Sequence, residues 1–188
     1  IIATVAVFAM VVFSQSMKVE IPLSFGRVRG HGIRWPLAFL YTSNIPVILI
    51  AALLANIQLL AQLASNWNSA FLSSMGTTVM AWVTAPNITA SIIQGTLSAI
   101  DIWRALFYIG ILMIGSVVFS YFWVQTAGMD AGSQAKQIMS SGLQIPGFRR
   151  DERVLEKILG RYIWPLTIIG GAAVGLLAAV GTPAFRTG

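Results

Sequence analysis

Residues 105–124 read ALFYIGILMIGSVVFSYFWV, twenty positions without one charge. A helix of that length rises about 30 Å, the thickness of a bilayer's hydrocarbon core. A water-facing helix keeps a polar face; this stretch is apolar all round, as a membrane span is. Trp103 and Trp123 stand at its ends, where amphipathic rings suit the headgroup region. The stretch is therefore read as a transmembrane helix.

Working outward, two further segments have spanning length. One is residues 44–63, NIPVILIAALLANIQLLAQL; the other is 162–180, YIWPLTIIGGAAVGLLAAV. Tyr162 and Trp164 again mark an end. Residues 1–13, IIATVAVFAMVVF, are apolar but too short to span alone. They read as a truncated transmembrane helix of a longer chain. The whole chain of 188 residues agrees with this class: 56 % hydrophobic, 10 % charged, mean hydropathy +0.78. So few charges cannot cover a water-facing surface, whereas a lipid-facing one needs none. The fold class predicted is an all-α polytopic helical bundle.

The charges that do occur are unevenly placed. Lys and Arg number four in residues 14–43 (Lys18, Arg27, Arg29, Arg34), none in 64–103, and six in 125–161. That alternation fits three crossings with both basic loops in the cytoplasm. The organisation predicted is a cytosolic loop at 14–43, an external loop at 64–104, a second cytosolic loop at 125–161 and an external tail at 181–188. Residues 79–100, VMAWVTAPNITASIIQGTLSAI, are apolar but carry Pro86, Asn87 and several hydroxyls. Were they a span, the basic loops would fall on opposite sides. They are read as part of the external loop, dipping into the interface or packing on the bundle.

The first basic loop alternates through Lys18, Val19, Glu20 and Ile21 before PLSFGRVRGHG, which suggests a hairpin. In the second, Pro146-Gly147 signals a turn, and Asp151 and Glu152 suit a helix start. Eight of the chain's 18 charged residues lie between Arg149 and Arg161. On a helix continued back to Arg149, the basic residues Arg149, Arg153, Lys157 and Arg161 form one stripe. Like charges so spaced destabilise an isolated helix by a few tenths of a kcal/mol per pair. An anionic partner offsets that, either lipid or a polyanion; Arg149 and Arg150 follow the turn and sit at the tip, away from lipid.

Covalent chemistry lacks its parts. There is no cysteine, a single histidine (His31) and six carboxylates, so no thiolate site, no metal site and no triad is expected. Ser14, Ser16, Ser73 and Ser74 have no nearby base and read as helix-end and loop residues. Asp101 reads as a cap or interface anchor.

The blocks SMKVEIPLSFGRVRG, YTSNIPVILIAALLANIQ, PGFRRDERVLEKILGRYI and GGAAVGLLA, in this order, closely resemble the archaeal branch of the SecY family, over nearly the whole chain. The resemblance implies the sixth to ninth of ten helices, part of the C-terminal half of a pseudo-two-fold protein-conducting channel in the plasma membrane. The channel would pass secretory polypeptides across the membrane and release membrane proteins laterally. It implies no enzyme activity and no cofactor. The implied partners are SecE-type and small beta or SecG-type subunits, the ribosome with its RNA, signal sequences, nascent chains and anionic lipid. It also implies that Arg149 and Arg150, with Arg27 and Arg29, dock the ribosome.

On the span 44–63, Ile48 lies about 40° from Asn44 and about 80° from Asn56 around the helix. One face can thus offer an apolar side chain to a pore while the adjacent edge offers an amide to a seam. The resemblance assigns Ile48, with Ile45 as alternate, to a hydrophobic pore ring, and Asn44 and Asn56 to the lateral gate. A secondary transporter would normally carry an ionisable residue within a span, and the three complete spans have none. A structural membrane scaffold is the other alternative.

Overall fold

In the computed structural model the described residues are 2–25, 32–38, 44–86, 88–96, 98–141, 143–144 and 151–185. Arg27, Arg29, His31, the Pro146-Gly147 turn, Arg149, Arg150 and Arg186 lie outside them. Helix α1 spans Ile2–Ser16 and ends with the Ser16 hydroxyl donating to the Phe13 carbonyl, 2.7 Å. Strands β1 (Lys18–Phe25) and β2 (Gly32–Ala38) follow, then α2 (Ile45–Ser65), α3 (Ala70–Val83) and the short α4 (Ile88–Ile93). Helix α5 (Ala99–Thr126), α6 (Ala131–Ser140), β3 (Leu143–Gln144) and α7 (Glu152–Phe185) complete the order.

Three helices, α2, α5 and α7, are long and apolar enough to cross a membrane. In lipid, helices gain little from burying apolar surface against each other, because the acyl chains are equally apolar. Close approach of backbones decides the packing instead. A Cβ on Gly175 would lie 2.8 Å from the Leu112 carbonyl oxygen and 3.0 Å from the Met113 Cα. One on Gly171 would lie 2.6 Å from the Ser120 hydroxyl. Bare glycines on α7 thus seat it against Ser116 and Ser120 of α5, both fully buried. Gly76 does the same for α3 on α2, where a Cβ would meet Ala61 O at 2.6 Å.

Two apolar clusters follow. Ile50 and Leu54 of α2 meet Ala85, Tyr108, Leu112 and Ala179. At the other end of the bundle, Ala135 and Ile138 of α6 meet Val124 and the α7 residues Leu155, Leu159, Ile163 and Leu166. The buried face of early α7 is therefore Leu155, Leu159 and Ile163, while Tyr162 is 41 % exposed.

Several boundaries differ from the sequence reading. Helix α7 starts at Glu152 and carries Arg153, Lys157 and Arg161; Arg149, the first residue of the expected stripe, lies outside the described residues. Asp151 stands outside as the cap: its carbonyl accepts from the Leu155 amide, 3.3 Å, and its carboxylate from the Arg153 amide, 3.0 Å. At its far end α7 continues to Phe185, past the 180 expected. Residues 64–104 hold α3 and α4, which puts Ser73 and Ser74 inside a helix.

Strands β1 and β2 pair antiparallel, Lys18 opposite Ala38 through Ser24 opposite Gly32. Strand β3 joins its other side, Ser24 opposite Gln144 and Phe25 opposite Leu143. The sheet order is β2-β1-β3, so the two basic loops share one sheet.

Candidate functional site

The second span is built to point two ways. Pro46 occupies its first turn, where a missing amide costs nothing, and is buried there. Asn44 precedes it, exposed, with no side-chain cap bond; its carbonyl accepts from the Ile48 amide, 3.2 Å. Ile50, 4 % exposed, packs over bare Gly115 of α5. Ile48 is 62 % exposed, because two residues at about 100° each turn it nearly opposite. Ile45 is half-buried.

Asn56 is exposed, and its Nδ2 donates to the Ala52 carbonyl one turn back, 2.9 Å. Gln58 instead reaches out of the helix, its Nε2 donating to the Val83 carbonyl at the end of α3, 2.9 Å. The structure therefore puts Ile48 and Asn56 away from the α2–α5 contact, and Gln58 at the tie to α3. Both amides stand out in so apolar a span, but only Asn56 was given a role from the sequence; a lone amide gives no sign of its direction.

Arg104 was also passed over, since the charge count stopped at Trp103. It stands in the first turns of α5, past the capping box that Ser98 and Asp101 form, and its Nε is buried without a hydrogen-bond partner. Thr84 Oγ1, at the end of α3, is buried and unpartnered as well.

The other candidate surface is the basic end. Arg153, Lys157 and Arg161 are exposed on α7. Lys136 of α6 stands 3.9 Å from Glu152, a surface pair worth ~1 kcal/mol or less. Asp130 caps α6 by accepting from the Ser133 amide, 3.2 Å. The Ser133 side chain and amide hold its carboxyl below the usual aspartate value, against a smaller opposing push from burial. Among the described residues no cluster of His, Cys, Asp and Glu could hold a metal ion.

Three long apolar helices, welded by glycine and serine and carrying a small three-stranded sheet, define a multi-pass helical membrane protein. The particular family follows from comparison. The SecY family model matches residues 1–186, and the chain belongs to the SecY family. It is 41 % identical to the protein translocase subunit SecY of Haloferax volcanii, over 96 % of this chain and 40 % of that one. It is 42 % identical to the SecY of Pyrococcus furiosus, over 96 % of this chain and 38 % of that one. Among solved structures, a SecY protein studied for its plug domain superposes with a TM-score of 0.70 at 36 % identity, over 97 % of this chain and 42 % of that one. A protein-conducting channel gives 0.68 at 37 %, over 95 % of this chain and 41 % of the other. The chain thus spans about two fifths of the length of these relatives.

Proposed function

We propose that this chain forms part of the central subunit of a protein-conducting channel, passing secretory polypeptides across the plasma membrane and membrane segments sideways into it. Membership of the SecY family across residues 1–186 carries the reading. The disposition of α2 supports it: one face seats on α5 through Ile50 while Ile48 is presented on the other. A branched apolar side chain in a narrow pore excludes water and ions by dewetting, yet offers no bond to hold a passing chain. Ile48 is assigned to that ring, with Ile45 as alternate, and Asn44 and Asn56 to the lateral gate. The role needs no covalent step.

The basic end is assigned to docking. Arg149 and Arg150, with Arg27 and Arg29, would meet the ribosome, and Arg153, Lys157 and Arg161 would meet its phosphates or anionic lipid. SecE-type and small beta or SecG-type subunits would complete the complex.

The test is reconstitution of the full-length channel with its subunits, scoring entry of a presecretory protein into vesicles. Wild type should translocate and Ile48→Asp should leak ions at rest. Absence of translocation by intact, folded complex would refute the channel reading. Transport of a small solute coupled to an ion gradient would replace it with a transporter.

A further inference from the structure

A cavity of about 490 Å³ opens between the basic-side end of α5, helix α6 and the first half of α7. That is the size of small-molecule sites, and such sites pair a largely apolar lining with a few convergent polar groups. The lining here follows that plan. Val117 and Ile168 lie deep in the apolar helices; Tyr121 and Trp164 form the wall; Asp130 and Glu156 lie at the aqueous end. The Tyr121 and Trp164 rings stand 6.1 Å apart at 56°.

The two carboxylates converge on an empty spot. A Cβ on Gly132 would lie 3.2 Å from Asp130 Oδ2 and 3.6 Å from Glu156 Oε1. With glycine there, that place is bare. Gly160 keeps the opposite side clear: a Cβ on it would touch only Ala131, at 3.7 Å. Glu156 has no hydrogen-bond or ion-pair partner among the described residues.

We propose that this cavity binds an amphiphile with a cationic head, drawn from the bilayer. Its head would sit between Asp130 and Glu156, and its tail against Val117 and Ile168. The charge of the rim selects a cation in a region otherwise basic. The depth of the apolar floor asks for a tail, which a soluble cation lacks.

The probe is a diazirine-bearing dodecyltrimethylammonium, compared with the same tail on a hydroxyl head. Both are photolysed with the full-length complex in nanodiscs of uncharged lipid, and the labelled peptides are mapped. The cation should label residues around Tyr121 and Trp164, and the neutral probe should do so far less. Glu156→Gln, at an exposed position that does not threaten folding, should cut that labelling by about fivefold. Gly160→Leu, which fills the space, should abolish it, with Gly160→Ala close to wild type as the check on folding. Equal labelling by both probes, or none at these residues, would overturn the site. So would an unchanged yield in Glu156→Gln, or labelling that appears only after a neighbouring subunit is stripped away, which would put a protein segment there.

Discussion

At the scale of single residues, glycine and asparagine decide most. Gly110 and Gly175 lie on packed helices but differ in surroundings: nothing lies within 4 Å of a Cβ on Gly110, whereas one on Gly175 meets backbone at 2.8 Å. Gly175→Leu should therefore cost about 1–3 kcal/mol by overpacking. Gly110→Ala should be neutral or stabilise by up to ~1 kcal/mol through helix propensity. Thermal melting of the purified complex checks both; equal melting of the two variants would show that the α5–α7 seam is slack. Asn56→Leu tests the proposed gate. Its amide bonds its own helix, so replacement costs no bond to a neighbouring helix and makes the seam apolar. A shift of ~1.4 kcal/mol toward closure would change the open population about tenfold. Marginally hydrophobic test segments should then insert less often while strongly hydrophobic ones are spared. An unchanged insertion threshold, at normal protein levels, would leave Asn56 without a gating role.

At the scale of elements, the spans were legible and their partners were not. Residues 105–124 announce a membrane helix because twenty uncharged positions leave no other solvent for them. The α5–α7 contact is silent in the sequence, since a glycine four residues from another says what could approach but not what does. Strand β3 has two residues and no alternation to read; only its partner Phe25 makes it a strand. Helix α6 was missed within a loop because its apolar face is narrow, carried by Ala135 and Ile138. Its start rests on Asp130, whose depressed pKa gives a sign to the acid response. A carboxyl lowered in the folded state stabilises above its unfolded value and loses that contribution as pH falls through the lower folded value. Helix α6 should thus be indifferent to pH near neutrality and fray only in acid. Asp130→Ala should cost it about 0.5–2 kcal/mol at neutral pH. Amide exchange at Ser133 and Gln134 reads both; protection unchanged in Asp130→Ala would mean α6 is held by packing alone.

At the scale of the whole molecule, the loops hold four, one and six Lys and Arg once Arg104 is counted, and that asymmetry predicts sidedness. Single cysteines at Gly30, Ser74 and Gly147 in intact cells, probed with an impermeant maleimide, should label only at Ser74. Labelling at Gly30 and Gly147 but not Ser74 would invert the molecule. The proposed docking role would act through phosphate charge, so Arg149→Glu should weaken ribosome binding and flatten its salt dependence. Equal binding by variant and wild type across a salt series would count against that role.

Helix α7 carries one more consequence. It runs unbroken from Glu152 at the basic end into the apolar bundle, and its ten residues before Tyr162 add about 15 Å along the axis. A rigid spacer of that height keeps any body seated at its tip off the lipid. The clearance exceeds the ~10–12 Å girth of a helix. If the chain acts as proposed, a polypeptide handed over at this end would cross that gap before reaching the bundle. On the proposed channel role, segments destined to remain on that side could slip out there, and the ion seal would fall to the proposed ring at Ile48 rather than to the joint with a partner above.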